Sequence, residues 1–131
     1  MFKIESENAP KAIGPYSQAV RAGQLLFVSG QLPINPATSK VEEISIEGQT
    51  RQVLANIKAV LEAAGCGFEN VVRAEVYLKD LEDFASMNKI YAESFTSEVK
   101  PARQALQVAK LPLDVRVEIS CIAYIEEDED V

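Results

Sequence analysis

Arg103 and Glu118 are the residues of this chain best placed for chemistry. Arg103 ends the string Lys100-Pro101-Ala102-Arg103 at the start of one alternating stretch, and Glu118 lies in a second alternating stretch after one turn. A guanidinium binds a carboxylate through two parallel hydrogen bonds, and a second carboxylate nearby can hold or deprotonate water. If the two stretches form neighbouring antiparallel strands, the pair points to hydrolysis of a small organic acid.

The same two residues also have an ordinary structural interpretation. Period-two alternation places Arg103 and Ala105 on one face of their strand, and Glu118 on the more polar face of the next strand. A cross-strand ion pair on a solvated sheet face would give the same pattern and would stabilise the fold only slightly. Spacing alone leaves both interpretations open.

The residue types that are missing narrow the chemistry further. The chain contains no histidine, so it lacks the commonest general base and the commonest metal ligand. Its two cysteines lack metal-ligand and redox-pair spacing: Cys121 is predicted to be buried on the apolar face of its strand, and Cys66 to lie in a loop. Carboxylate, hydroxyl, amide and guanidinium groups are therefore expected to do the chemistry, with no metal.

Length, composition and charge predict one globular domain with an acidic end. The chain has 131 residues, of which 47% are hydrophobic and 25% charged. Five of its twenty acidic residues lie in the segment 126–131. Residues 1–125 contain the other fifteen and all thirteen basic residues, which gives a formal net charge of −2. We therefore expect a domain over 1–125 and a disordered acidic tail over 126–131, and the near-neutral body argues against nucleic-acid binding.

Nothing in the sequence predicts membrane insertion or export. No apolar run approaches the ~20 residues that cross a bilayer. The amino terminus has no apolar segment with a positive flank, and the cysteine spacing does not suggest disulfides. These features favour a reducing, cytoplasmic location.

Hydrophobic periodicity predicts the order strand, strand, helix, strand, helix, strand, strand. The predicted strands cover residues 16–22, 25–32, 71–79, 102–109 and 114–125, and the predicted helices cover 46–64 and 81–95. Gly23-Gln24 predicts a hairpin turn, and Gly65 a left-handed cap after the first helix. The apolar stripe of the second helix is interpreted as core; its members are Phe84, Met87, Tyr91 and Phe95.

Five short strings, taken in order, carry a resemblance to a known family. They are Gly14-Pro15-Tyr16-Ser17-Gln18, Ser29-Gly30-Gln31-Leu32-Pro33, Lys79-Asp80-Leu81, Pro101-Ala102-Arg103 and Val117-Glu118-Ile119. With them the chain resembles the RidA family, the reactive intermediate deaminases once called YjgF. The resemblance runs from about Ile4 to Ala123.

The resemblance implies a fold and an assembly. The fold is α+β and like that of chorismate mutase: a single ββαβαββ domain whose mixed sheet has two helices packed on one face. The assembly is a homotrimer in which the sheets form a central barrel, with small clefts between neighbouring subunits.

The resemblance also implies an activity and its residues. The family hydrolyses enamines and imines such as 2-aminoacrylate and 2-iminopropanoate to a 2-oxo acid and ammonia, without a cofactor. By position, its carboxylate-binding arginine corresponds to Arg103 and its water-orienting glutamate to Glu118. Four further pocket positions fall on Tyr16, Ser29, Gly30 and Asn88. Of these, Tyr16 and Ser29 are expected to donate hydrogen bonds or shuttle protons to the departing nitrogen. The structural alternatives are a packing aromatic for Tyr16, a local backbone hydrogen bond for Ser29 and a helix-surface amide for Asn88.

Some features depart from the family pattern. Many members have Ser-Cys after the arginine where this chain has Gln104-Ala105, so Ala105 can offer a substrate only its backbone N–H. The segment before Arg103 is a residue or two shorter than expected, and the acidic ending is unusual. A non-catalytic trimer that binds small carboxylates therefore stays open as an alternative. A ribonuclease or translation inhibitor, as some relatives have been described, ranks third because the body is not basic.

Overall fold

A six-stranded mixed sheet carries two helices on one face in the computed structural model, which describes residues 1–126. The strands are β1 (Phe2–Ile4), β2 (Ala19–Ala22), β3 (Leu25–Gln31), β4 (Val71–Leu78), β5 (Ala102–Gln107) and β6 (Val117–Tyr124), and the helices are α1 (Ile46–Ala63) and α2 (Phe84–Ser94). The sheet order is β1-β2-β3-β6-β4-β5. The predicted α+β class with a mixed sheet is confirmed.

Local sequence signals account for the bounds of α1. The side chain of Ser45 accepts a hydrogen bond from Gly48 N–H at 3.0 Å and so satisfies one free donor of the first turn. The apolar stripe of α1 is buried, including Val53, Ile57 and Leu61. Gly65 has φ 80, a conformation that costs glycine little, and follows the end of the helix as predicted.

The two faces of the sheet have different surroundings. On β4, Ala74, Val76 and Leu78 are completely buried beneath the helices, and we call this side the helix-bearing face. Their neighbours Arg73, Glu75 and Tyr77 point to the other side, which we call the open face. Cys121 is buried on the helix-bearing face, as predicted.

One prediction about topology is wrong. β5 and β6 are not neighbours, because β4 lies between them: it pairs in parallel with β5 and antiparallel with β6. The units β4, α2 and β5 form a strand–helix–strand crossover, the connection that parallel neighbours require. The segment between β5 and β6 instead steps across the end of β4.

This topology separates the two residues that were expected to meet. Arg103 is the lateral partner of Ala74, so it lies on the helix-bearing face. Glu118 is the lateral partner of Tyr77, so it lies on the open face. The prediction that one chain brings the two side chains into the same crevice is therefore wrong.

Several element boundaries also differ from the predictions. β1 was not predicted, and the strand expected from residue 16 begins at Ala19 because a turn occupies the residues before it. The helix expected over 81–95 starts with a 3-10 turn, Leu81–Asp83, where Asp80 accepts a hydrogen bond from Glu82 N–H at 2.9 Å. Most of the predicted acidic tail, residues 127–131, lies outside the described residues. Within 1–126, neither helix has the length and apolarity needed to span a membrane.

Candidate active site

Three side chains on one face of α2 contact Arg103. Its Nη1 donates a hydrogen bond to Asn88 Oδ1 at 2.5 Å. Its Cζ lies 4.8 Å from the ring centroid of Tyr91 and 5.5 Å from that of Phe84, which are cation–π distances. We call Phe84, Asn88 and Tyr91 the Arg103 clamp. Because a guanidinium has five N–H donors, the clamp orients Arg103 and leaves donors free for an anion.

The guanidinium lies at an open cavity of about 380 Å³, within the range of small-molecule sites. The cavity is lined by Asn88, Tyr91, Ala92, Phe95, Lys100, Pro101 and Arg103. Arg103 has no partner among the ion pairs of residues 1–126. An aromatic wall and an unpaired guanidinium are suited to binding a small carboxylate.

Tyr91 contributes its ring rather than its hydroxyl. The hydroxyl is buried and has no hydrogen-bond partner among the described residues. Burial raises the pKa of Tyr91, against the opposing effect of the Arg103 charge, so the group stays protonated at neutral pH. The ring stacks on Phe95 with centroids 4.3 Å apart, a contact that restricts the position of the ring beside the guanidinium.

The apolar stripe of α2 predicts that Phe84 and Tyr91 belong to the core, but it does not predict their contact with Arg103. The core assignment holds for Tyr91, which is 6% exposed, while its ring also forms part of the clamp. A signal was available, because Phe84, Asn88 and Tyr91 have the i, i+4, i+7 spacing of a single helix face. A polar residue between two aromatics at that spacing is a pattern from which a cation site could have been proposed.

Replacing Tyr91 should separate the roles of the ring and the hydroxyl. We expect Tyr91→Phe to bind a small 2-oxo acid within about twofold of the unaltered protein, and Tyr91→Leu to bind it about fivefold more weakly, because only leucine removes the cation–π contact. Isothermal titration calorimetry measures both, and thermal melting checks the fold. An equal loss in the two variants would contradict the assignment to the ring.

Glu118 lies against Gly30 on the open face. The β3–β6 register shifts between Val28 and Gln31, and this irregularity contains Gly30. A Cβ atom at position 30 would overlap Glu118 Oε2, so glycine lets the carboxylate lie directly on the β3 backbone. Placement of Glu118 therefore depends on the residue type at position 30.

The environment of Glu118 makes its carboxylate more basic than usual. The side chain is half-buried, and burial raises the pKa of Glu118 because the charged form loses hydration. It has no partner among the ion pairs of the described chain. A half-buried, unpaired carboxylate of raised pKa is suited to accepting a proton from water.

Ser29 and Tyr16 occupy different environments. Ser29 Oγ donates to the Ser17 carbonyl oxygen at 2.6 Å, which ties β3 to the loop before β2. Tyr16 is 53% exposed, and its hydroxyl accepts a hydrogen bond from Ile13 N–H at 3.2 Å. Tyr16 and Ser17 line an open cavity of about 570 Å³ near the amino terminus. Ser29 is thus next to Gly30, while Tyr16 is displayed at the surface.

Buried Gln18 holds this loop in place. Its Nε2 donates to the Ser6 carbonyl at 3.1 Å and to the Pro10 carbonyl at 2.7 Å, and its Oε1 accepts from Ser6 N–H at 2.6 Å. These bonds fasten the amino-terminal segment over β2 and satisfy an otherwise costly buried amide. Gln18 belongs to one of the five family strings, but the sequence does not predict that its side chain fastens the amino-terminal segment.

Apart from Tyr16 and Ala105, the predicted site residues therefore form two clusters in one chain. The arginine cluster contains Arg103 and Asn88 on the helix-bearing face. The glutamate cluster contains Ser29, Gly30 and Glu118, with Glu118 on the open face. Ala105 shares the face of Arg103 and packs against the core. Within residues 1–126, no three His, Cys, Asp or Glu side chains are grouped to hold a metal ion.

Comparison with known proteins adds independent information. The sequence matches the family described as Endoribonuclease L-PSP over residues 6–125. RutC family protein PH0854 of Pyrococcus horikoshii is 58% identical over 123 residues, which cover 94% of this chain and 97% of that protein. The 2-iminobutanoate/2-iminopropanoate deaminase of Escherichia coli is 47% identical over 122 residues, with coverage of 92% and 94%.

A solved structure extends the similarity to three dimensions. The crystal structure of E. coli TdcF with bound serine has a TM-score of 0.91 and 39% sequence identity, and the match covers 96% of this chain and 100% of that one. Sequence and fold therefore agree over nearly the whole chain.

Proposed function

The chain belongs to the RidA family, matched under the description Endoribonuclease L-PSP, and we propose that it hydrolyses reactive 2-imino acids to 2-oxo acids and ammonia. The observation that carries this proposal is that the chain presents two prepared groups, the clamped guanidinium of Arg103 and the half-buried carboxylate of Glu118. One group suits the substrate carboxylate, and the other suits the attacking water. The relative with bound serine supports a small amino-acid-like ligand.

We propose further that the complete site forms between two copies of the chain. Arg103 and Glu118 point to opposite faces of one sheet, so a second copy is needed to bring one of each together. Arg103 lies on β5, which is an edge strand and thus accessible to a neighbour.

The open face supports such an assembly. It exposes large apolar side chains that water disfavours: Leu25 is 39% exposed, Phe27 43% and Tyr124 41%. A homotrimer that packs these faces together would cover them and would place Glu118 of one copy near Arg103 of the next.

In the proposed mechanism, Arg103 binds the substrate carboxylate and fixes the C=N carbon near Glu118. Holding the imine in this way converts a random encounter with water into a positioned attack. The ionised carboxylate of Glu118 orients the water and accepts its proton. Asn88 and the aromatic rings act through Arg103 by keeping the guanidinium in one orientation.

The reaction balances without a cofactor. The water oxygen bonds to the imine carbon, the C=N double bond becomes a single bond, and the nitrogen gains a proton. The amine nitrogen of this intermediate then takes up a second proton, the C–N bond breaks, ammonia leaves with the bonding electron pair, and loss of the hydroxyl proton forms the 2-oxo group. Tyr16 and Ser29 are proposed to donate hydrogen bonds or protons toward the departing nitrogen, and for this the Ser29 hydroxyl gives up its bond to the Ser17 carbonyl oxygen.

A direct assay tests the activity. An amino acid oxidase generates 2-iminopropanoate from alanine in the presence of semicarbazide, which traps the imine. An imine hydrolase competes with the trap and lowers the yield of the semicarbazone in proportion to enzyme concentration. Equal semicarbazone formation with and without the protein would refute the proposal.

Subunit complementation tests the shared site. Arg103→Ala and Glu118→Gln chains, each inactive alone, should recover about a quarter of the wild-type activity after equimolar subunit exchange, because random mixing joins an intact arginine to an intact glutamate at about one interface in four. Mixing without exchange is the control. If exchanged mixtures stay inactive, the site does not lie between chains.

A further inference from the structure

A second cation lines the cavity that contains Arg103. Lys100 precedes Arg103 by three residues, and both side chains contribute to the wall of the cavity of about 380 Å³. The other lining residues are Asn88, Tyr91, Ala92, Phe95 and Pro101, so the wall formed by the described chain has no carboxylate. Two positive charges therefore share one cavity without an acidic neighbour on its wall.

Contacts on either side of Lys100 restrict its position. Lys100 Nζ donates to the Ser97 carbonyl oxygen at 2.6 Å, which directs the ammonium group back along the chain. Pro101 follows it and restricts the backbone at residue 100 to extended conformations. An ammonium has three donors, so the bond to Ser97 leaves two for a ligand.

Lys100 also forms no ion pair with the part of the chain that the structure describes. Like Arg103, it has no partner among the ion pairs found in residues 1–126. Of the other seven lysines of the described chain, only two have such partners, Lys3 with Glu5 and Lys79 with Asp114, so what sets Lys100 apart is its place on the cavity wall beside Arg103. Two basic residues that line one small cavity and have no ion-pair partner within residues 1–126 favour a ligand with two negative charges, because a single carboxylate would neutralise only one of them.

We propose that Lys100 recognises a second carboxylate on the substrate, so that the preferred imines are those of dicarboxylic amino acids. The inference rests on the proposed function and names its substrate class. Arg103 binds the carboxylate next to the imine, since its planar fork suits bidentate contact, and Lys100 binds the side-chain carboxylate as a point charge. Lys100 is exposed, so water screens this contact and the expected preference is moderate.

The test compares two imines generated in the same way. We expect the ratio of kcat/KM for 2-iminoglutarate, made from glutamate, to that for 2-iminopropanoate, made from alanine, to fall about tenfold in Lys100→Met. Lys100→Arg keeps the charge and should retain most of the ratio. Lys58→Met, which alters an exposed lysine of α1 outside the cavity, is the matched control and should leave the ratio unchanged.

Binding of stable products separates this inference from the proposed function. The unaltered protein should bind 2-oxoglutarate more tightly than 2-oxobutanoate in calorimetry, and Lys100→Met should lose that preference. An unchanged kcat/KM ratio, or an equal loss on both imines, would overturn the inference while leaving imine hydrolysis intact. If neither imine is hydrolysed, the proposed function fails. A preference for 2-oxoglutarate that depends on Lys100 would then still support recognition of the second carboxylate. The absence of that preference would overturn the inference about Lys100.

Discussion

Arg103→Ala is expected to lower kcat/KM for 2-iminopropanoate by about 100- to 1000-fold. The guanidinium makes two charge-assisted hydrogen bonds to the substrate carboxylate in the proposed complex. Such bonds are stronger than hydrogen bonds between neutral groups, and the alanine side chain cannot form them. Arg103→Lys should recover only part of the loss, because an ammonium lacks the planar fork and cannot lie between the rings of Tyr91 and Phe84 in the same way. Steady-state kinetics with the semicarbazide competition assay measures both variants.

The fold should survive this change. Arg103 is only partly buried and forms no ion pair within residues 1–126, so its removal leaves no buried charge without a partner. Thermal melting and sedimentation should match those of the unaltered protein. Full activity in a correctly folded Arg103→Ala protein would mean that another group binds the carboxylate. Loss of folding would instead assign Arg103 a structural role.

Glu118→Gln is expected to lower kcat by about 10²- to 10⁴-fold, the usual contribution of a general base. Glutamine keeps the shape that fits against Gly30, and its amide cannot accept the proton of water at neutral pH. Binding of 2-oxobutanoate should change little, because Arg103 supplies that affinity. Glu62→Gln, on the exposed surface of α1, is a matched control that should retain activity. A parallel loss of binding and turnover would contradict the assignment of Glu118 as a base.

The pH dependence gives a second measurement of the same residue. Burial raises the pKa of Glu118 above its usual value, and only the ionised form accepts a proton. Activity should therefore fall as the pH decreases through this raised pKa, at a higher pH than for an ordinary glutamate. This acidic limb should be missing from the residual activity of Glu118→Gln.

The same pKa shift predicts the sign of an effect on stability. Since the pKa of Glu118 is higher in the folded chain than in the unfolded chain, the folded state binds more protons between the two values. The stabilising effect of the protonated form is therefore present at low pH and is lost as the pH rises through the folded pKa. Glu118→Gln should melt at a higher temperature than the unaltered protein at neutral pH, and the difference should shrink toward pH 4.

Much of the architecture could be derived from local patterns. The stripe of α1 and Gly65 beyond its end predict the helix within about a residue of its observed bounds. Gly23 and Gly65 both have positive φ at the turns where they were expected. Period-two alternation correctly separated the buried face of β6, with Val117 and Ile119, from the face of Glu118. These features depend on neighbours within a few residues, which is why the chain alone reveals them.

Local patterns did not predict the contacts of the Arg103 clamp. Tyr91 has the spacing of a core residue and is one, yet its ring also contacts the guanidinium of a strand that begins eleven positions later. A hydrophobic stripe predicts burial without saying what the buried ring touches. Lys100 gave no signal beyond its place three residues before Arg103, and its cavity became visible only once α2 and β5 lay side by side.

Amino-acid order alone was enough for the fold class, the principal helices and strands, the face on which each strand residue lies, and the family. It was not enough for the order of strands in the sheet, which placed β4 between β5 and β6 and put Arg103 and Glu118 on opposite faces. The physical reason is that alternation specifies a side within one strand, whereas the choice of neighbouring strand depends on backbone hydrogen bonds and packing between distant segments. As a result, one chain holds the two halves of the expected site on opposite faces of the sheet. In the function we propose, each half is completed by the other half from a second copy.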